Sequence, residues 1–190
     1  MRVGIFGGTF NPVHNGHLAV AQLIVEKMRL DKVIFVPSYI PPHKSVKLAP
    51  AEERFRMLKV AVKGNELFRV SDFEIRRKGK SYSVDTARYF RKLFGRQARL
   101  YFIIGADSLR ELKRWRAIGD ILKLVDFIVV NRPGYPFKNL PVKVKVVKLP
   151  EFGISSSWIR KRISQGKALE YFIPYAVANI IKQKDLYGAD

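Results

Sequence analysis

The opening of the chain, Val3 to Val36, leaves little architectural choice. A short apolar run, Val3 to Phe6, leads into the loop Gly7-Gly8-Thr9-Phe10-Asn11-Pro12-Val13-His14-Asn15-Gly16-His17. Leu18, Ala21, Val25 and Met28 then fall at helical spacing, and Lys32 to Val36 (KVIFV) is a second β-rich run. Strand, helix and strand of these lengths make a βαβ unit, which is right-handed and parallel by default. A parallel sheet has to be covered on both faces, so the rest of the chain is committed to supplying helices for each.

The remaining sequence is consistent with that commitment. Prolines at 37, 41 and 42 make Pro37 to Lys44 a loop, and Ala51 to Val62 reads as a charged amphipathic helix. A strand is predicted from Phe68 to Ile75, followed by a basic turn, Arg76 to Lys80. Ser81 to Thr86 leads a helix to about Leu93. The most hydrophobic strand, Leu100 to Ile104, is stopped by Gly105, and Ala106 to Leu109 begins another helix with Asp107 or its neighbour as N-cap. Trp115 lies just beyond it, and Ile118 to Leu124 is a further short helix. Phe127 to Val130 is an apolar strand ended by Asn131-Arg132-Pro133-Gly134, and the alternation in Val142 to Leu149 suits an edge strand. Helices at Ser155 to Ser164 and Pro174 to Lys182 close the chain, the second with proline in its first turn. The expectation is one α/β domain over 1–190: a doubly wound, mostly parallel sheet with helices on both faces. Ligands bind such sheets at the loops that follow the strands, here Gly7–His17, Pro37–Lys44, Gly105–Asp107 and Asn131–Gly134.

Composition narrows the function. At 47% apolar and 27% charged, the 190 residues have a soluble globular balance, and no run approaches the ~18 apolar residues of a membrane span. Met1-Arg2 leads directly into a strand rather than a signal peptide, so the cytoplasm is the expected location. Without cysteine there is no disulfide, no thiolate nucleophile and no cysteine-ligated zinc. The net charge of +20, from 36 Lys and Arg against 16 Asp and Glu, points to anionic partners. Most aromatics sit in apolar runs rather than among the basic residues, which argues against a stacking platform for nucleic acid.

Two motifs carry chemistry. Gly7 and Gly8 let backbone N–H groups approach an anion closely, and His14 and His17 fall together if a helix begins near Asn15, at its positive end. Imidazoles donate hydrogen bonds to phosphate oxygens and can balance growing negative charge. Zinc is the rival reading, but no third ligand with suitable spacing is apparent. Far along the chain, Ile154-Ser155-Ser156-Ser157-Trp158-Ile159-Arg160 gathers hydroxyls and free N–H groups at another helix start, with Arg160 able to fold back toward an anion.

Taken together, the motifs resemble the paired signatures of the nucleotidylyltransferases related to class I aminoacyl-tRNA synthetases, with Ser157 where the second signature has threonine. Within that superfamily the chain is most similar to the bacterial nicotinate mononucleotide (NaMN) adenylyltransferases. Pro42-His43-Lys44 resembles their P-H-K loop and Ser81-Tyr82-Ser83-Val84-Asp85-Thr86 their S-Y-T-x-D-T segment. Gly105-Ala106-Asp107, Trp115 and Arg132-Pro133-Gly134 also match. Pantetheine-phosphate adenylyltransferase shares the two signatures but not these middle segments. The resemblance implies a Rossmann-like fold and adenylyl transfer from ATP to NaMN, with Mg²⁺ carried on the triphosphate and no dedicated metal cage. It implies that Gly7, Gly8, Thr9, Phe10, His14 and His17 cradle the ATP phosphates, with Ser156 and Arg160 completing that site. His14, His17 and Arg160 are thereby cast as catalytic. Gly105 and Asp107 fall on the adenosine side. Tyr82, Asp85, Thr86 and Trp115 are assigned to the nicotinate nucleotide, with His43, Lys44 and Arg132 as further phosphate contacts. Nucleic acid and membrane partners are set aside, and a homo-oligomer is left open.

Overall fold

A computed structural model describes residues 1–42, 48–109, 111–132, 134–135, 137 and 144–188. Strands β1 (Arg2–Gly8), β2 (Lys32–Pro37), β3 (Phe68–Val70), β4 (Arg99–Gly105), β5 (Asp126–Val130) and β6 (Lys145–Val147) form one sheet in the order β3-β2-β1-β4-β5-β6. Every pairing in it is parallel. The helices are α1 (Asn15–Met28), α2 (Ala51–Ala61), α3 (Phe73–Arg77), α4 (Ser83–Phe94), α5 (Ala106–Leu109), α6 (Ile118–Leu124), α7 (Ser156–Ser164) and α8 (Tyr175–Gln183).

Alternation along the strands builds a core on each face of the sheet. Val33, Phe35, Tyr101, Ile103, Ile128 and Val130 point to one side and meet Ile24 of α1, Met57 and Leu58 of α2, Ile159 of α7 and Val177 of α8. Val3, Ile5, Ile34, Phe102, Phe127 and Val129 point to the other and meet Val84, Ala87 and Phe90 of α4 and Ile121 of α6. Each fully buried side chain of this size contributes ~1.5–3 kcal/mol relative to exposure. Two apolar faces on one sheet explain why the strands read as unbroken hydrophobic runs.

The chain winds outward from β1 through β2 to β3, then crosses back to β4 and winds outward the other way. The reversal falls between β1 and β4, which lie side by side with Phe6 opposite Ile103. Their carboxyl ends, Gly8 and Gly105, open together at this switch point, where doubly wound sheets bind ligands.

Several expectations are corrected. The run from Phe68 to Ile75 is not one strand: β3 stops at Val70 and α3 begins at Phe73. The polar pair Ser71-Asp72 makes the break, with Phe73 N–H donating to Ser71 Oγ at 3.3 Å and Arg76 N–H donating to Asp72 O at 2.9 Å. Asp107 lies inside the first turn of α5 rather than capping it, because β4 runs on through Gly105. Pro174 is the N-cap of α8, one residue before its first turn. Within Val142 to Leu149, β6 occupies Lys145–Val147 at the sheet edge, and residues 142–143 lie outside those described.

Gly4 is the tightest point of the central strand. A Cβ there would stand 2.9 Å from Cδ1 of both Ile103 and Leu30 and 3.1 Å from Val33 Cγ2. Ile103, Leu30 and Val33 are themselves buried and cannot swing clear. Gly4→Val should therefore destabilise the protein by ~1–3 kcal/mol through overpacking. Chemical denaturation measures this, and an unchanged midpoint would contradict the packing described.

Candidate active site

A cleft of about 640 Å³ opens at the switch point, lined by Gly7 and Gly8, which end β1 rather than belonging to the expected loop, by Thr9 and Phe10 of the first loop, and by His14, Gly16 and His17 at the start of α1. Gly105 and Asp107 after β4, Asn131 and Arg132 after β5, and Ser155, Ser156, Ser157 and Arg160 of the second motif complete its wall. The two motifs, far apart in sequence, face the same space.

The loop between β1 and α1 has little regular hydrogen bonding of its own, so other parts of the chain hold it. Ser156 Oγ donates to Pro12 O at 2.9 Å, and Arg160 Nη1 donates to Asn11 O at 2.8 Å. Arg160 Nη2 also reaches Ser157 Oγ at 3.3 Å, while Ser155 is the true cap, accepting from Trp158 N–H at 3.2 Å. On the opposite side Arg54, almost fully buried on α2, donates to Thr9 O at 2.8 Å, Ala49 O at 3.0 Å and Tyr39 O at 3.0 Å. Asn11 Oδ1 accepts from Ala49 N–H at 3.0 Å and from Tyr187 Oη at 2.8 Å.

The electrostatics favour an anion. Two helices, α1 and α7, start at this cleft, and neither has an acidic residue in its first turn. The helix dipole makes each start locally positive. His14 and His17 stack with centroids 3.7 Å apart. His17 Nδ1 accepts from His14 N–H at 3.3 Å, so its proton in the neutral form sits on Nε2. A Cβ on Gly16 would stand 3.1 Å from His14 Nδ1, so a bare glycine there makes room for the ring. Both His14 ring nitrogens are buried without a hydrogen-bond partner, and so are Ser38 Oγ and Asp107 Oδ1. Four of the seven such atoms among the described residues therefore belong to residues that line this one cleft, an arrangement suited to a polar ligand.

Other anticipated residues distribute unevenly. Arg132 contacts the Asp107 carboxylate through Nη1, and both line the cleft. Trp115 also lines it while packing edgewise on Phe102 and Phe127 at 6.1 and 6.0 Å, so it is core and wall at once. Tyr82 is the N-cap of α4 and lines an adjoining hollow of about 490 Å³, with the Arg116 guanidinium 4.7 Å from its ring centre. Asp85 is turned to Arg77 at 3.4 Å, and Thr86 is fully buried with its hydroxyl on Glu74. Neither Asp85 nor Thr86 lines the cleft by its side chain. His43 and Lys44 lie outside the described residues. Among those described, no group of three His, Cys, Asp or Glu is placed to hold a metal ion.

Four residues given no individual role by the sequence matter here: Asn11, Ser38 and Glu74 line the cleft, and Arg54 holds the loops around it. Arg54 did leave a signal, since it shares the apolar stripe of α2 with Met57 and Leu58. Glu74 was hidden by the misread strand. Burial pushes its carboxyl above the ordinary range, while the Thr86 and Ser81 hydroxyls and Arg77 favour the charged form.

Burial first, and Arg132 second, lower the His14 imidazole to about 3. Its unfolded value is about 6.5, so the unfolded chain binds the proton first as pH falls. His14 therefore contributes stability that is complete above that value and is lost progressively as pH drops toward about 3. The slope approaches about 1.4 kcal/mol per pH unit within that window. His14→Gln should flatten the decline in ligand-free stability between about pH 6.5 and 5, as read by thermal unfolding, and an equally steep decline would contradict a neutral buried His14.

Comparison with known proteins agrees with this geometry. The model of the cytidylyltransferase-like family matches residues 5–162. A Shouchella clausii protein named "Probable nicotinate-nucleotide adenylyltransferase" is 43% identical over 188 residues, covering 98% of this chain and 97% of the relative. A Thermus thermophilus protein of the same name is 43% identical over 187 residues, covering 98% and 100%. Among solved structures, Plasmodium falciparum nicotinic acid mononucleotide adenylyltransferase complexed with NaAD shares the fold, with a TM-score of 0.81, 19% identity and coverage of 98% and 97%. Family model, whole-length relatives and a cleft built by both signatures lead to one assignment: the chain belongs to the cytidylyltransferase-like family, among its nicotinate-nucleotide adenylyltransferases.

Proposed function

We propose that this protein transfers the adenylyl group of ATP to nicotinate mononucleotide, giving nicotinate adenine dinucleotide and pyrophosphate in NAD biosynthesis. The observation that carries the reading is the meeting of the two motifs, with Ser156 and Arg160 donating to the backbone of the loop that presents His14 and His17. The Plasmodium falciparum enzyme, complexed in separate structures with NaAD and APC, supports a nucleotide in a cleft of this fold.

A phosphate oxygen of NaMN attacks the α-phosphorus of ATP, a P–O bond forms, and the bond to the β-phosphate oxygen breaks. The electron pair leaves with pyrophosphate. The attacking phosphate is already ionised, so no general base or covalent intermediate is needed. The protein's work is alignment and charge stabilisation. His14 and His17 offer N–H donors at the start of α1, and α7 adds its N-terminus with Ser156 and Arg160. A neutral His14 can still donate one hydrogen bond to a phosphate oxygen, and an arriving triphosphate favours its protonation. Gly105 and Asp107 suit the adenosine side, Arg132 an additional phosphate contact. Trp115 and the first turn of α4, from Tyr82 through Asp85 and Thr86, suit the pyridine ring. ATP enters as its Mg²⁺ complex, an ion that commonly keeps its waters and needs few protein ligands. The chain 1–190 is read as one catalytic domain acting in the cytoplasm.

Incubation with ATP, Mg²⁺ and each of NaMN, its nicotinamide counterpart and phosphopantetheine should release pyrophosphate fastest with NaMN. Release with phosphopantetheine alone, or with none of the three, would overturn the assignment. His17→Ala should lower turnover by on the order of 10²–10³ with little change in melting temperature, as loss of one charge-stabilising donor does. Near-normal turnover in that variant would remove His17 from the mechanism.

A further inference from the structure

Glu74 is only 6% exposed, and among the described residues Arg77 and Arg54 act on it electrostatically without an ion pair at contact distance. Burying a carboxylate is costly, and an apolar side chain would fill the same space without that cost. What the carboxylate adds is direction. One of its oxygens accepts the Thr86 hydroxyl, from the first turn of α4. The Ser81 hydroxyl stands beside it and favours its charged form.

Ser81 in turn organises the opposite wall. Its Oγ accepts from Tyr39 N–H at 2.8 Å, and its own N–H donates to Ile40 O at 2.9 Å. These bonds join the segment after β2 to the segment before α4. Tyr39 O is held by Arg54, whose other nitrogens hold Thr9 and Ala49. Hydrogen bonds thus run from Thr9 in the first loop through Arg54 and Tyr39 to Ser81, beside the Glu74 carboxyl that holds Thr86. Glu74, Ser81, Ser83 and Trp115 all line the cleft.

We propose that Glu74 is a positioning residue for the acceptor nucleotide: through Thr86 and Ser81 it fixes the first turn of α4 and the Tyr39–Ile40 wall at the spacing the acceptor requires. The inference rests on the NaMN reading above and deepens it. Leaving the Thr86 hydroxyl without its acceptor in a buried position costs more than an ordinary surface hydrogen bond. Losing that contact should therefore register chiefly in acceptor binding, since the loop that faces ATP keeps its own anchors in Arg54, Ser156 and Arg160.

The test is steady-state kinetics with NaMN and ATP varied in turn. Glu74→Ala should raise KM for NaMN by about tenfold or more while KM for ATP stays within about twofold. Glu74→Gln keeps an oxygen acceptor and should restore most of the loss. Thr86→Val should reproduce part of it, and the double variant should be no worse than Glu74→Ala alone, as expected of one shared interaction. An unchanged KM for NaMN in a folded Glu74→Ala protein would overturn the proposal, as would equal rises for both substrates, additive losses, or no rescue by Gln. If Glu74→Ala fails to fold, Ser81→Ala and Thr86→Val each remove one hydroxyl and must show the same split. Wild-type protein inactive with NaMN would refute the substrate assignment instead, so the two failures are distinguishable.

Discussion

The carbonyl oxygens of the first loop are the points on which the site hangs. The loop leaves the sheet at Gly8 and enters α1 at Asn15, and between them neither ladder nor helix holds its backbone. Thr9, Asn11 and Pro12 instead accept from Arg54, Arg160 and Ser156, residues 45, 149 and 144 positions away. A loop fixed by donors from both sides keeps its shape before any ligand arrives, which is what a site working by alignment needs. Arg54 is the least replaceable of these anchors. Its planar fork satisfies three carbonyls while buried, a geometry an ammonium cannot copy.

Charge in the cleft follows from the same construction. Using side chains to hold the loop brings a second helix start alongside the first, and neither first turn contains an acid. His14 adds a donor without adding fixed charge, because burial and Arg132 keep it neutral. The overall charge of +20 has a different physical range. It raises the local concentration of polyanions near the surface, whereas the helix ends and imidazoles act at hydrogen-bond distance.

How much of this could be read in the sequence varies with the kind of interaction. The sheet was legible because its strands are buried on both faces and show as apolar runs, and α1 begins at Asn15, the start that brings the two histidines together. Both signatures were legible as local strings. Their mutual grip was not, since a hydroxyl donating to a carbonyl 144 residues away leaves no local trace. The strand predicted to Ile75 failed for a specific reason: the apolar pattern continued past Ser71-Asp72, and the capping tendency of that pair decided the conformation. The error concealed Glu74. Thr86 was read as a ring contact on resemblance, whereas its hydroxyl is turned inward to Glu74, leaving the backbone of α4 as the surface it can offer.

The hydrogen bond from Tyr187 to Asn11 ties the two ends of the described chain together across 176 positions. During synthesis the Gly7–His17 loop emerges well before Ser156, Arg160 and Tyr187, which lie more than 130 residues later. The nascent β1–α1–β2 unit must therefore wait with its loop carbonyls open to water, and its later partners reach it only after long loops have closed. Completion of the nucleotide cleft is consequently a late event in the life of each molecule. Until then, an unfinished polypeptide carries both histidines but lacks the second helix start and the arginine that face them.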